Sequence, residues 1–433
     1  MKTWVCALAL VLVGVSSPAA QQLPSATPES VGMSAERLQR VHRGMQGFVD
    51  RREVAGVVTL VARDGKIVDV HASGSQDVEN RVPMRPDTIF RIASMTKPVT
   101  SVAVMMLYEE GKLLLTDPVS KFIPSFRSQR VMGNGEGSGT VPARRDITIR
   151  DLLTHRAGLS YGFLNDGPVG AAYRKNGVQD GLTLTTETLE SAIDKLAAQP
   201  LMSQPGAEWN YSLSTDVLGR VVEVASGQRF DVFLSERIFK PLRMTDTSFE
   251  VPDAKWSRFA TVYSPDGAGG IRPMKDPETF GNTVMSPRAY YKPPKRYLSG
   301  GAGLTSTAGD YARFAQMLLG GGALDGVRLL SPKTVELMTA SATADLPPNF
   351  LIGPGVNFGL GFRVVTELGP TQTLGSPGMY GWLGIYGTVF WVDPRERLVA
   401  IMMVQQYPGS PVATAFQPLV YQAIVRSVSG TAQ

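Results

Sequence analysis

The sequence predicts an α+β fold in which one antiparallel sheet is built from both ends of the chain, is flanked by helices, and receives a mostly helical insertion. Two hairpins, and the character of what separates them, carry this expectation. Residues 57–62 and 66–70 read as two strands joined by the turn Arg63-Asp64-Gly65, a strong hairpin signal. Residues 386–392 and 398–404 repeat the pattern around Asp393-Pro394. Between the hairpins, apolar residues recur at helical spacing, and strands at both ends with helices between them pack as one sheet with a helical insertion. The chain therefore divides into a sheet domain, residues 21–95 and 296–433, and a helical domain, residues 96–295.

Met1-Lys2-Thr3 gives a charged start, residues 4–15 an apolar core and residues 16–20 a run of small residues, which together read as a signal peptide over residues 1–20. The expected address is periplasmic or secreted. A membrane span takes about 20 apolar residues, and neither the leader nor any later segment reaches that length, so no stable membrane insertion is expected. The single cysteine, Cys6, falls inside the leader, which removes thiol catalysis, disulfides and thiolate metal sites from the rest of the chain. The three histidines, His42, His71 and His155, are too scattered for a zinc-binding pair, so no metal or other cofactor is expected. A formal charge of +5 over 433 residues, without a Lys/Arg-rich run, argues against a nucleic-acid partner.

A first long helix is expected at residues 98–108, with Pro98 in its opening turns and Gly111 closing it. Further helices are expected at 149–155, 186–198, 215–226, 229–238, 308–319, 332–339 and 412–428. Residues 133–139 read as an exposed glycine-rich loop. Residues 160–182 and 276–296 read as long loops, and loops of that length in a compact domain are candidates for lining a substrate entrance.

Ser94-Met95-Thr96-Lys97 is the only Ser-x-x-Lys in the chain and opens the 98–108 helix. Positions i and i+3 share a helix face, so the hydroxyl and the amine sit together, and a neighbouring amine can activate a serine nucleophile. A serine at a helix start also presents its backbone N–H to developing negative charge. Ser160 competes, because Gly158-Leu-Ser160-Tyr-Gly162 matches the Gly-x-Ser-x-Gly elbow of α/β-hydrolases. That fold places its histidine after the serine, whereas all three histidines here precede Ser160. With histidine scarce, the base for Ser94 is left to Lys, Tyr, Asp or Glu. Lys97 is nearest in sequence, and Tyr211 is a candidate because a tyrosine can serve as base where a cation stabilises its phenolate.

Six stretches together resemble one family: Phe90 to Pro98, Ile149 to Leu159, Pro205 to Gly219, Gly300 to Thr307, Phe358 to Phe362 and Gly381 to Thr388. The chain is similar to the serine β-lactamase and penicillin-binding-protein-like superfamily, and most of all to its family VIII carboxylesterases. The resemblance implies a β-lactamase/transpeptidase-like fold, Ser94 as nucleophile, Lys97 as its activator and Tyr211 as base. It also implies an oxyanion hole made by the backbone N–H groups of Ser94 and Ile385. Leu213 stands where the family's Tyr-x-Asn motif has Asn, and Trp382-Leu383-Gly384 stand where β-lactamases have Lys-Thr-Gly. β-Lactams and D-Ala-D-Ala peptides present a carboxylate that needs a cation and a hydroxyl. Trp382, Leu383 and Leu213 offer an apolar wall instead, so the implied substrate is a small neutral ester with a short acyl chain. The alternatives are a β-lactamase or D-Ala-D-Ala carboxypeptidase, or an acyltransferase using the same residues. Gly384 and Tyr161 join the expected substrate-binding set, and Phe163, Trp209, Tyr380 and Tyr386 are further aromatic candidates for the pocket. His155 is expected to be structural.

Overall fold

The structure, a computed structural model, describes residues 22–133, 139–349, 351–409 and 412–427, so the expected signal peptide lies outside the described residues. Its centre is an eight-stranded antiparallel sheet. In chain order the strands are β1 (Gly56–Arg63), β2 (Lys66–Asp77), β3 (Val82–Pro83), β4 (Val356–Phe358), β5 (Arg363–Val365), β6 (Tyr380–Leu383), β7 (Val389–Asp393) and β8 (Leu398–Met403). They lie side by side as β4-β5-β6-β7-β8-β1-β2-β3. The two chain ends meet where β1 pairs with β8, in register from Val58 opposite Met403 to Arg63 opposite Leu398. Every residue of β1 and of β8 is buried, as strands covered on both faces must be.

The helices are α1 (Ala35–Asp50), α2 (Thr96–Glu109), α3 (Ile149–Leu153), α4 (Pro168–Lys175), α5 (Leu189–Ala197), α6 (Ser214–Ser226), α7 (Phe230–Leu234), α8 (Ala308–Leu319), α9 (Pro332–Thr339), α10 (Leu368–Thr371) and α11 (Val412–Tyr421). Adjacent strand residues point to opposite faces of a sheet, and β7 shows which helix covers which face. Phe390 meets Tyr311 of α8, while Trp391 meets Phe416 of α11. Helix α1 lays Leu38, Val41 and Met45 into the core at helical spacing. Arg63, wholly buried, stitches the termini together by donating to the carbonyls of Val31, Gly32, Arg426 and Glu396.

Phe90–Arg91 pair antiparallel with Thr305–Ser306, two segments far apart in the chain. Helix α2 is buried from Thr96 to Leu107, with protein on every side of it.

Several expectations need correction. The strand expected at 386–392 begins at Val389, because Gly387 at φ +88° and the Gly387 N–H to Gly384 carbonyl bond (2.9 Å) turn the chain back just before it. The helix expected at 412–428 ends at Tyr421, and residue 428 lies outside the described residues. Helix 229–238 breaks into α7 and a wider turn over Ser235–Phe239. The 160–182 loop contains α4, started by Pro168 in its first turn and held by buried Val169 and Tyr173, four residues apart. The 276–296 loop contains the hairpin Glu278–Phe280 with Thr283–Met285. Residues 134–138 of the glycine-rich loop lie outside the described residues.

Candidate active site

Ser94 sits on a tight 3₁₀ turn, Ala93–Met95, that runs straight into α2. Ala93 is held at φ +41°, a conformation that costs an alanine free energy and persists only where surroundings enforce it. Those surroundings are on hand: Tyr311 donates to the Met95 carbonyl (2.8 Å), and the Leu304 N–H donates to Thr96 Oγ1 (3.1 Å). One turn on, Lys97 is 1% exposed and aims Nζ back at the serine. It lies 3.3 Å from Ser94 Oγ, 3.0 Å from the Tyr161 hydroxyl and 2.8 Å from the Gly301 carbonyl. Gly301 must be glycine, since a Cβ there would fall 2.5 Å from Asp216 Oδ2 and 3.3 Å from Lys97 Nζ.

The end of β6 lies against the nucleophile turn. A Cβ on Gly384 would collide with the Thr388 hydroxyl and sit 2.5 Å from the Ile92 carbonyl, so a bare backbone is what allows residue 385 to approach Ser94. Among the described residues neither the Ser94 N–H nor the Ile385 N–H has a partner in the protein, which is the condition for two donors kept for a ligand oxygen. Ser94 and Ile385 line the same pocket.

Two tyrosines flank Lys97. Tyr161 accepts its hydrogen bond, and burial, with Tyr211 and Asp216 nearby, pushes the Tyr161 hydroxyl far above its ordinary range, so it stays a phenol. Tyr211 is less buried, presents its ring 4.6 Å from Lys97 Nζ and lines the pocket. Trp382 Nε1 donates to the Tyr211 hydroxyl at 3.4 Å. Tyr211 also packs against Tyr161, Trp209, Trp382 and His155, with ring centres 5.0 to 6.0 Å apart. His155 is buried with Nδ1 3.3 Å from Ser212 Oγ, and desolvation, then the Lys97 charge, holds its imidazole well below the usual range. It is a neutral packing group.

The pocket has a volume of about 160 Å³ and opens to solvent. Ser94, Tyr161, Phe163, Leu164, Asp180, Leu182, Tyr211, Ala302, Leu351, Trp382, Leu383 and Ile385 form its wall. The 160–182 segment thus supplies five lining residues and 276–296 supplies none. Leu383 is 42% exposed at the rim. Leu213, expected on the wall, is not there. It is 1% exposed, precedes the first turn of α6 and donates its N–H to the Ser160 carbonyl (3.3 Å), so its side chain enters the core. Trp209, Tyr380 and Tyr386 are likewise core residues that do not line the pocket. Ser160 is buried, with Oγ bonded to the Tyr161 carbonyl (3.4 Å), and follows α3 rather than a strand. Asn210 bonds Ser203 Oγ (3.0 Å) and, through its N–H, the His155 carbonyl (2.8 Å).

Sequence reasoning missed Asp180 and Asp216. Asp216 is wholly buried in the first turn of α6; its Oδ1 accepts from Tyr297 (3.0 Å) and Ser299 (2.6 Å), and its Oδ2 has no hydrogen-bond partner. Burial raises its carboxyl, against the pull of the Ser299 bond and the Lys97 charge. No group of three His, Cys, Asp or Glu side chains suited to a metal occurs among the described residues.

A serine and lysine at the head of a buried helix, set against the inner end of a sheet built from both chain ends, define the serine β-lactamase/transpeptidase class of serine hydrolases. The chain belongs to the beta-lactamase family, whose family model matches residues 41–420. It is 39% identical over 374 residues to Protein Rv1367c of Mycobacterium tuberculosis, covering 84% of this chain and 88% of that one. It is 34% identical over 381 residues to Esterase EstB of Burkholderia gladioli, covering 86% of this chain and 91% of that one. Among solved structures it is similar to EstCE1, a hydrolase with promiscuous acyltransferase activity, at 29% identity and TM-score 0.77, over 90% of this chain and 99% of the other. Within the family it falls with the family VIII esterase-like proteins.

Proposed function

We propose that the protein hydrolyses carboxylic esters with short acyl chains through an acyl-enzyme on Ser94. The observation that carries this reading is the pocket wall: no lysine or arginine lines it among the described residues, and Trp382 and Leu383 occupy the place where a cation and a hydroxyl would receive a substrate carboxylate. An apolar wall favours a neutral acyl or alcohol group and leaves an anionic one unpaired.

In this mechanism Tyr211, supported by the Lys97 charge and the Trp382 N–H, takes the Ser94 hydroxyl proton as Oγ attacks the ester carbonyl. The carbonyl oxygen becomes an oxyanion held by the Ser94 and Ile385 N–H groups. The proton passes to the departing alkoxide, leaving an ester on Ser94. Water then attacks that ester, giving its proton to Tyr211, and Ser94 leaves with a proton as the carboxylic acid is released. The likeness to EstCE1 supports an alcohol taking the place of water in the second half.

Paired kinetics of wild type and Ser94→Ala on p-nitrophenyl butyrate and a chromogenic cephalosporin test the reading. Ester turnover that vanishes in the variant, with slow cephalosporin hydrolysis, is the expected result. Faster cephalosporin than ester turnover would move the protein to the β-lactamases, and ester turnover that survives the substitution would remove Ser94 as nucleophile.

A further inference from the structure

Asp180 is the one charged side chain on the wall of the catalytic pocket among the described residues, and the mechanism above leaves it idle. Its Oδ1 accepts the Leu182 N–H at 3.0 Å. Among the described residues its Oδ2 accepts no hydrogen bond from another residue and forms no ion pair, and the side chain is only partly buried on the pocket wall. That oxygen is available to whatever fills the pocket.

The carboxylate is also held in place. Gly181 adopts φ +79°, and a Cβ there would collide with Ser299 Oγ and stand 2.8 Å from Ser299 Cβ, so the segment lies flat on the stretch whose Gly301 carbonyl receives Lys97. The Leu182 carbonyl accepts the Ser286 N–H (2.8 Å), and Thr183 donates to the Val284 carbonyl (2.6 Å). The chain that carries the carboxylate is thereby pinned beside the pocket.

The same pocket wall carries aromatic rings. Tyr161, Phe163, Tyr211 and Trp382 share the pocket, with Tyr161 5.0 Å from Phe163 and 5.5 Å between Tyr211 and Trp382. Aromatic faces attract cations through their quadrupoles, the more so when desolvated, and one fixed carboxylate among them completes an ammonium site. We propose that Asp180 is the specificity residue of this pocket and selects esters that carry an ammonium group, primary or quaternary. The inference rests on the ester-hydrolase reading and narrows its substrate class. Burial, with the Asp216 charge adding to it, pushes the Asp180 carboxyl up to about 6, against the pull of the Leu182 N–H, so an incoming cation relieves an unfavourable charge.

The test uses matched substrates at pH 8, where Asp180 is ionised. For the acyl side these are p-nitrophenyl 6-aminohexanoate and its neutral counterpart p-nitrophenyl heptanoate; for the alcohol side, butyrylthiocholine and 3,3-dimethylbutyl thiobutyrate. The quantity read is the cation-to-neutral ratio of kcat/KM within each protein, so a general loss of activity cancels. Wild type should favour the cation on one side of the ester, and Asp180→Asn should lower that ratio on the order of tenfold, with Asp180→Glu restoring part of it. A ratio near one in wild type on both sides, or a ratio unmoved by Asp180→Asn, overturns the proposal. Calorimetric titration of Ser94→Ala with butyltrimethylammonium reads the site without chemistry. Binding there that is lost in Ser94→Ala/Asp180→Asn supports the site even if no ester is turned over, whereas neutral-ester turnover without cation binding sinks the site and leaves the esterase reading standing.

Discussion

The indole N–H of Trp382 donates to the hydroxyl oxygen of Tyr211 across 3.4 Å. A tryptophan in the place of the family's lysine therefore does two things at once: its ring offers a substrate carboxylate no partner, and its nitrogen supports the tyrosine oxygen that receives a proton in the proposed mechanism. Trp382→Phe keeps the wall and removes the donor. Since a neutral hydrogen bond is worth about 0.5–1.5 kcal/mol, kcat should fall roughly two- to tenfold, with KM for a neutral ester changing less. A rise in KM at constant kcat would limit Trp382 to packing.

Tyr161 and Tyr211 divide their duties around Lys97. Tyr161 bonds the amine directly and stays a phenol, while Tyr211 faces the pocket. Tyr211→Phe should cost about 10²- to 10⁴-fold in kcat, the span typical of general acid–base groups, and Tyr161→Phe substantially less. The reverse order in steady-state kinetics would hand the base role to Tyr161.

Gly384→Ala tests the oxyanion donors without touching a reactive side chain. The new methyl meets the Ile92 carbonyl and the Thr388 hydroxyl, so the Ile385 N–H must move away from Ser94. The loss of one such donor costs on the order of 10²- to 10³-fold in kcat. A variant that keeps its melting temperature and its activity would show that Ile385 is not a donor.

His155 carries the pH prediction. Its imidazole is held well below 6.5 by burial and by Lys97, so the folded protein refuses a proton that the unfolded chain accepts. Stability from this group is complete above pH 6.5 and is lost as pH falls, by at most about 1.4 kcal/mol per pH unit. The backbone there has φ +55°, which asparagine tolerates. Between pH 7 and 5 the melting temperature of His155→Asn should therefore fall less steeply than that of wild type; parallel curves would show that His155 does not couple folding to pH.

Local chemistry is what the sequence made readable. Ser94 and Lys97 are one helical turn apart, and the 57–70 hairpin is announced by its turn, so both could be placed without knowing anything distant. Asp180 and Asp216 could not. Their importance comes from residues distant in the chain, Ser299 and Gly301 beside Asp216, and Tyr211 and Trp382 on the pocket wall with Asp180. Leu213 was misplaced for a related reason: a motif position says which residue stands near the nucleophile, and the turn into α6 decides whether its side chain faces ligand or core. Helix α4 was hidden because Gly, Asn and Asp surround a stretch that only the burial of Val169 and Tyr173 holds together. Tyr386 reads in the sequence as the start of the strand that runs to Val392, yet the turn at Gly387 delays that strand to Val389.

The β1–β8 pairing has a kinetic side. As the chain is synthesised, β1, a strand buried along its whole length in the folded protein, emerges early, while its second partner is the last described strand to appear. Until then its open edge is a template for any other extended chain, and closing so distant a contact makes folding slow. A nascent or truncated polypeptide lacking β8 should bind holdase chaperones or aggregate rather than form a partial enzyme, so this protein commits to its native state only when synthesis is all but finished.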